Sequence, residues 1–272
     1  MTAVARDEGP LVAVSRPADG VALVLLNRPS RRNALTREFL GLLVDAFTRL
    51  RAEASNGEVR AVVVTGAGTA FCAGLDLTEV AEQGPPDVRE LDVVTALTSV
   101  GVPVIGAVNG PAVTGGLEIA LACDFLVAGE SARFADTHAR VGIVPGWGLT
   151  ARLPLAVGQG WARQMSATGD YVDARTAERI GLVNSVVPDS RLLDTALRLA
   201  GSAATVDPHV LATVRTLYDA AAEEGAGAAG AGERAIWERG EAVGDQQAVA
   251  SRRLAVLERG RGQLAGGTED ET

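Results

Sequence analysis

Lysine is absent from the chain, so all 25 basic residues are arginine. The absence of lysine excludes a lysine Schiff base and a phosphate-loop lysine within this chain. Cysteine and histidine are also scarce, with two of each, and they lie too far apart in sequence for a recognisable zinc site. We therefore expect no metal centre, and we expect Cys72 and Cys123, which lie in apolar segments, to be reduced core thiols.

Long hydrophobic runs are missing as well. No stretch approaches the ~20 apolar residues that span a bilayer, and the N-terminal sequence MTAVARDEGP lacks the apolar segment of a signal peptide. The net charge of −9 argues against a nucleic-acid-binding or anionic-membrane surface. We expect a soluble, cytoplasmic protein whose partner is a small molecule, with no nucleic acid and no membrane.

Short apolar segments alternate with helical patterns along the first 190 residues, which predicts an α/β fold. Two β-rich runs flank Asp19-Gly20 and predict a hairpin, and Thr36 is a candidate N-cap for a helix that follows it. Beyond Pro188 the strand signals end. The sequence therefore predicts a core at 1–190 and a C-terminal helical region at 191–272, interrupted by the low-complexity segment 225–232.

Two familiar site motifs fail in this chain. A strand followed by Gly66-Ala-Gly68 invites a dinucleotide-binding interpretation, but the third glycine of that fingerprint is replaced by Phe71. The pattern G-x-S-x-G, which marks a hydrolase nucleophile elbow, does not occur.

Two glycine-containing segments remain, GAGTAFCAGLDL (66–77) and VNGPAVTGGLEIALACD (108–124). Each is an apolar strand that breaks into glycine, and Gly115-Gly116 opens an apolar helix whose first amides favour negative charge. Glu118 follows on the first helical turn. Two backbone donors beside a carboxylate suit thioester chemistry that passes through an enolate.

These residues resemble the crotonase superfamily, also called the enoyl-CoA hydratase/isomerase family. The likeness covers about residues 20–190 and is carried by LLNRPSRRNAL, AFCAGLDL, VPVIGAVNGPAVTGGLEIALACD, RFADTHARVGIVPGWGLTARL and ATGDYVDARTAERIGLVNSVVP. The resemblance implies a spiral of repeated ββα units and a C-terminal helical region that serves trimerisation, giving a homotrimer or a hexamer built as a dimer of trimers. It implies an acyl-CoA thioester substrate and no separate cofactor, because coenzyme A is part of the substrate.

The resemblance also implies particular site residues. The N–H groups of Ala73 and Gly115 would form the oxyanion hole, and the segment Ala73, Gly74, Leu75 and Asp76 would line the acyl-CoA site together with Gly115. Arg31 or Arg32 would meet the phosphates of coenzyme A. Glu118 falls on the first of the two glutamates of the familiar hydratases, but His138 stands where the second glutamate is expected, so Glu118 and His138 are the predicted catalytic pair.

The leading interpretation is an enoyl-CoA hydratase, a hydro-lyase of lipid and fatty-acid metabolism. Double-bond isomerisation is the second enzyme interpretation, and hydrolysis or C–C cleavage of a related thioester or diketone is a more distant one. A non-catalytic acyl-CoA-binding protein is the alternative from another class, because the second glutamate is lost. Two further side chains stay open: Asp136 either shares a face with His138 or points to water, and Trp147 either walls the acyl pocket or packs in the core.

Overall fold

The computed structural model describes residues 9–87 and 89–224. The chain divides into two compact units, Met1–Val206 and Asp207–Thr272. Nine strands are described: β1 (Val12–Ala18), β2 (Val21–Leu26), β3 (Ala61–Gly66), β4 (Val104–Val108), β5 (Pro111–Val113), β6 (Phe125–Gly129), β7 (Arg133–Ala135), β8 (Val172–Asp173) and β9 (Ser185–Val187).

Nine α-helices are described beside these strands: α1 (Arg37–Ser55), α2 (Leu77–Gln83), α3 (Val93–Thr98), α4 (Gly115–Leu121), α5 (His138–Val141), α6 (Leu149–Thr168), α7 (Ala174–Arg179), α8 (Leu192–Ala203) and α9 (Pro208–Glu224). Two short 3-10 helices lie at Pro29–Arg31 and Asp189–Arg191. The mixture of strands and helices confirms the predicted α/β class.

The chain begins with the predicted hairpin. β1 and β2 pair antiparallel, and Gly20 adopts a φ of 69° in the turn between them, a conformation that glycine takes without strain. Thr36 then caps α1, as its position predicts, because its hydroxyl accepts a hydrogen bond from the N–H of Phe39 at 3.2 Å.

A six-stranded sheet, in the order β1-β2-β3-β4-β6-β9, forms the centre of the first unit. From β2 to β9 the neighbouring strands run parallel. All six residues of β3 are buried, which is expected for a parallel strand covered on both faces. Val62 and Val64 pack into the larger apolar cluster, whereas Ala61 and Val63 face the smaller cluster that includes α8.

A second sheet of three very short strands, β5-β7-β8, lies beside the first. The chain alternates between the two sheets. β4 belongs to the large sheet and β5 to the small one, and α4 follows them. The same order then recurs, with β6 in the large sheet, β7 in the small sheet and α5 after them. This alternation is the predicted repetition of ββα units. It places the beginnings of α4 and α5 at corresponding points of two successive units.

The helices after Pro188 divide between the two units. α8 belongs to the first unit and buries Leu192, Ala196 and Ala200 against the large sheet, whereas α9 is the described part of the second unit. The low-complexity segment at 225–232 and the rest of the predicted helical region up to residue 272 lie outside the described residues. The division at residue 190 and the role in trimerisation stay predictions.

Two further findings concern the described residues. None of their helices is long and apolar enough to cross a membrane. Cys72 and Cys123 are free and buried, and burial raises the pKa of the Cys72 thiol to about 12, so both behave as the core thiols that the sequence predicts.

Candidate active site

A pocket opens where the first turn of α4, α5 and the segment before α6 meet. Its volume is about 50 Å³. Glu118 and His138 are its charged groups. The lining residues are Leu75, Leu77, Pro85, Thr114, Gly115, Glu118, His138, Val141, Ile143, Val144, Gly146 and Trp147.

Glu118 lies in the first turn of α4 with 2% of its surface exposed. Its Oε1 atom accepts hydrogen bonds from the backbone N–H of Trp147 at 2.8 Å and of Leu149 at 3.3 Å. These donors belong to the turn that starts α6, where unpaired helix amides favour a negative charge. They hold the carboxylate in one orientation, with Oε2 directed to the other side.

His138 occupies that other side. Its Nε2 atom lies 3.5 Å from Oε2 of Glu118, so the structure brings together the two residues that the sequence predicts as the catalytic pair. The opposite ring nitrogen, Nδ1, lies 2.7 Å from Oδ1 of Asp136. A carboxylate at this distance accepts a hydrogen bond from the Nδ1–H group, which leaves Nε2 to face Glu118.

Asp136 does not point to water, because only 2% of its surface is exposed. Asp136 contacts His138 through a turn rather than along an extended strand. Besides its contact with the ring, Oδ1 of Asp136 accepts a hydrogen bond from the backbone N–H of His138 at 3.2 Å. Its second oxygen accepts from the hydroxyl of Ser166 on α6. A buried relay of Ser166, Asp136, His138 and Glu118 results.

The contacts within the relay shift the pKa values of His138 and Asp136. Burial by itself would lower the pKa of His138, but the hydrogen bonds and negative charges of Asp136 and Glu118 outweigh burial and raise that pKa to about 9. Burial by itself would raise the pKa of Asp136, but the hydrogen bonds from His138 and Ser166 outweigh burial, so the pKa is lowered. A pKa near 9 favours the imidazolium form of His138 at neutral pH, in a position between Glu118 and Asp136.

The oxyanion donor predicted at Ala73 requires a correction. The N–H of Ala73 donates to the carbonyl of Arg32 at 3.0 Å, so it is already used within the protein. Two residues further on, Leu75 forms a parallel bridge with Leu35: Leu35 donates to the carbonyl of Gly74, and Asp76 donates to the carbonyl of Leu35.

In a parallel bridge of this kind, the N–H of the intervening residue points away from the partner strand. The N–H of Leu75 is therefore directed away from Leu35, and Leu75 lines the pocket. Leu75, rather than Ala73, is therefore the candidate backbone donor in this segment. Between Ala73, whose N–H points toward Arg32, and Leu75, whose N–H points away from Leu35, the backbone turns at Gly74, which has a φ of 87°.

Gly115, at the start of α4, is the second candidate backbone donor. The first N–H groups of a helix lack intrahelical acceptors, and the hydroxyl of the preceding Thr114 does not cap them. A side chain at position 115 would meet the Trp147 ring, since an added Cβ would lie 2.9 Å from its Cζ3 atom. Trp147 therefore walls the pocket directly beside the Gly115 amide.

Other predicted binding residues have structural tasks. Asp76 caps α2 by accepting from the N–H of Thr78 at 3.0 Å, and its other oxygen pairs with Arg28 at 2.7 Å; the hydrogen bond from Arg28 lowers the pKa of Asp76. Gly74 is buried, and the backbone turn described above occurs at this residue. Arg31 and Arg32 are exposed, and their contact with coenzyme A phosphates stays a prediction.

Asn33 is a supporting residue that sequence reasoning misses. It is fully buried, and its side-chain amide donates to the carbonyls of Ala67, Ala70 and Phe71 at 2.8–3.1 Å. These three bonds tie the loop after β3 to the loop before α1. The loop after β3 leads directly to Leu75, so Asn33 fixes the course of the segment that carries the first donor.

Metal chemistry has no candidate ligand set in the part of the chain that the structure describes, where no group of three or more His, Cys, Asp or Glu side chains is arranged to hold an ion. The site instead combines two backbone amides, a carboxylate and an imidazolium around a small apolar pocket. Such a combination of groups suits a reaction in which an oxyanion is stabilised while a proton moves beside it.

Comparison with known proteins identifies the family. The family model described as enoyl-CoA hydratase/isomerase matches residues 16–253. A protein named probable enoyl-CoA hydratase 1, peroxisomal, from Arabidopsis thaliana is 41% identical over 70% of this chain and 71% of its own length. A short-chain-enoyl-CoA hydratase from Clostridium acetobutylicum is 40% identical over 66% of this chain and 70% of its own length.

Among solved structures, an enoyl-CoA hydratase from Mycobacterium smegmatis has a TM-score of 0.69 and 42% identity, covering 85% of this chain and 100% of that one. The chain belongs to the enoyl-CoA hydratase/isomerase family, the crotonase superfamily. The family and the fold class predicted from the sequence are therefore confirmed.

Proposed function

We propose that this protein is an enoyl-CoA hydratase, which adds water across the 2,3 double bond of a 2-enoyl-CoA to give a 3-hydroxyacyl-CoA. The observation that carries the proposal is the 3.5 Å approach of Glu118 Oε2 to His138 Nε2 in the pocket that Leu75 and Gly115 line. The names of the relatives agree with this activity. The location in the cytoplasm and the trimeric or hexameric assembly stay predictions.

The thioester oxygen would accept hydrogen bonds from the N–H groups of Leu75 and Gly115. These donors withdraw electrons from the conjugated double bond, which makes C3 electrophilic, and they hold the negative charge that develops on the oxygen as an enolate forms. Each such donor contributes about 3–4 kcal/mol of transition-state stabilisation in a well-studied hydrolase.

Water would add to C3 as Glu118 Oε2 takes one of its protons. This oxygen is suited to the task because Oε1 already accepts two backbone N–H groups. His138 would deliver its Nε2 proton to C2, which completes the hydroxyacyl product. A proton transfer from Glu118 back to His138 over the short gap between them then restores the starting state, so one water is consumed and all protons balance.

The relay supports an active enzyme rather than a binding protein. A buried imidazole between two carboxylates is a costly arrangement unless each group has a partner, and here each group has one. An imidazolium at His138, which the raised pKa favours, would replace the acidic member of the glutamate pair that the familiar hydratases carry. The loss of the second glutamate therefore does not imply the loss of activity.

Mass-resolved turnover tests the proposal. Purified protein is incubated with crotonyl-CoA and with a longer 2-enoyl-CoA in water enriched in the heavy oxygen isotope, with Glu118→Gln protein as the matched control. We expect a product heavier by one labelled water from the wild type and almost none from the variant. An isomerase leaves the substrate mass unchanged, and a binding protein yields complex without product; either result overturns the proposal.

A further inference from the structure

Asp136 is separated from the pocket by the imidazole of His138. It is not among the pocket-lining residues, and its oxygens accept hydrogen bonds from the His138 backbone, the His138 ring and the Ser166 hydroxyl. A buried carboxylate with these partners can influence a substrate only through His138.

We propose that Asp136, held by Ser166, is a positioning residue that keeps a proton on both nitrogens of His138 and turns the Nε2–H toward Glu118 and the substrate. The carboxylate receives the Nδ1–H, which orients the ring and stabilises the cation. The kinetic part of this inference rests on the proposed hydratase activity, whereas the protonation of His138 can be measured without any turnover.

The surroundings of the ring define the charge balance. Glu118 reaches the imidazole from α4, and Asp136 reaches it from the turn before α5. α6 contributes the neutral hydroxyl of Ser166. Arg140, which lies on α5 itself, donates to the carbonyl of Thr168 instead of opposing the imidazolium. His138 thus faces two anions, and they favour its charged form.

A purely structural interpretation of Asp136 makes a different prediction. As a cap for the short helix α5, the carboxylate would satisfy the backbone N–H of His138 and nothing more. Its loss would then reduce stability and activity to the same degree at every pH, and the imidazole would titrate unchanged. A titration of His138 distinguishes the two roles.

The chain suits this titration because it has two histidines, His138 and His209. In His209→Gln protein a single imidazole remains, and its ring resonances can be followed by NMR across the pH range. We expect the pKa of His138 to lie near 9, and Asp136→Asn to lower it by at least about one unit toward the usual ~6.5. Asp170→Asn, which removes an exposed carboxylate, is the matched control and leaves the titration unchanged.

Kinetics supply the second measurement. If His138 must be protonated, Asp136→Asn lowers kcat at about pH 8 by about twofold for a pKa decrease of one unit and about tenfold for two units, and lowers it less than about twofold at about pH 6. Ser166→Ala keeps the carboxylate but loosens it, so it lowers kcat by a similar factor at both pH values without lowering the pKa of His138. A loss of activity in Asp136→Asn that is equal at both pH values overturns the inference.

The titration and the kinetics together distinguish failure of the inference about Asp136 from failure of the hydratase proposal. If the wild type shows no hydration, the hydratase proposal fails while the titration still decides whether Asp136 controls His138. A wild-type His138 that titrates near its ordinary value overturns the inference even if Asp136→Asn protein does not fold.

Discussion

The backbone N–H of Trp147 donates to Oε1 of Glu118 at 2.8 Å, on the oxygen that faces away from His138. The two oxygens of this carboxylate therefore have separate tasks. Oε1 is anchored to the start of α6, and Oε2 is directed toward the imidazole. A catalytic base held in this way needs no reorganisation when substrate arrives, which is the advantage of a preorganised site.

Replacing Glu118 by glutamine should abolish most of the turnover. The amide oxygen can still accept from Trp147 and Leu149, so the side chain keeps its place, but the amide nitrogen facing His138 cannot take a proton. We expect kcat to fall by about 10²–10⁴-fold while the dissociation constant for a 3-hydroxyacyl-CoA changes little. Stopped-flow turnover and calorimetric binding measure the two quantities, and a variant that binds poorly but turns over normally would contradict this assignment.

Replacing His138 by glutamate restores the glutamate pair of the familiar hydratases, yet we expect it to be harmful here. Asp136 lies 2.7 Å from the ring nitrogen, so the new carboxylate would be crowded by two others with no cation between them. We expect His138→Glu to be less stable than His138→Gln by about 1–3 kcal/mol.

A second substitution tests that explanation. Asp136→Asn should recover most of the loss in the His138→Glu background, because it removes the nearest negative charge. Chemical denaturation of the single and double variants gives the coupling free energy. Additive effects of the two substitutions would exclude charge repulsion as the cause.

The ion pairs of His138 make stability depend on pH. The pKa of His138 is raised to about 9 in the folded protein, so its contribution is complete below its unfolded value of about 6.5 and is lost as the pH rises toward 9. The pKa of Asp136 is lowered, so the contribution of Asp136 is present above about pH 4 and is lost as the pH falls further.

We therefore expect about 3 kcal/mol of stability to be lost between about pH 6 and about pH 10 in the wild type beyond the loss in His138→Gln. Urea denaturation of both proteins at the two pH values measures the difference. Parallel stability curves for the two proteins would show that the imidazolium is not stabilised by its neighbours.

Gly74 should tolerate no side chain. An added Cβ would lie 1.9 Å from the Thr114 hydroxyl oxygen and 2.9 Å from the Val113 carbonyl oxygen, and the φ of 87° is unfavourable for any other residue. We expect Gly74→Ala to destabilise the protein by more than about 3 kcal/mol.

Gly57 is the matched control, because its φ is 77° and nothing lies within 4 Å of its added Cβ. Gly57→Ala should cost only the strain of the left-handed conformation, about 1–2 kcal/mol. Thermal unfolding compares the two variants, and equal destabilisation would show that the close approach of Gly74 to Thr114 has no consequence.

Local signals predicted much of the fold. The Asp19-Gly20 turn, the Thr36 cap and the strands of the large sheet are visible because each depends on residues near in sequence. The small sheet is different: β8 has two residues and β5 has three, too few to show an alternating pattern. Its pairing depends on partners that are distant in sequence.

The site was predictable to a similar extent. Glu118, His138 and Gly115 follow from the resemblance, and the spacing of Asp136 from His138 suggested their contact. The direction of the Leu75 N–H could not be predicted, because it depends on the φ of Gly74 and on the bridge to Leu35. Ser166 carries no signal at all, since a serine within a helix does not reveal which distant carboxylate it meets.

The two candidate oxyanion donors, Leu75 and Gly115, lie on backbone segments that hydrogen bonds tie to their neighbours. A bridge joins Cys72 to Ala112, another joins Leu35 to Leu75, and Asn33 binds three carbonyls in the loop between. By contrast, Leu77 and Val144, which also line the pocket, are 53% and 84% exposed. We therefore expect directed evolution toward a new acyl chain length to succeed first at these exposed positions, which can change without disturbing the hydrogen-bonded backbone.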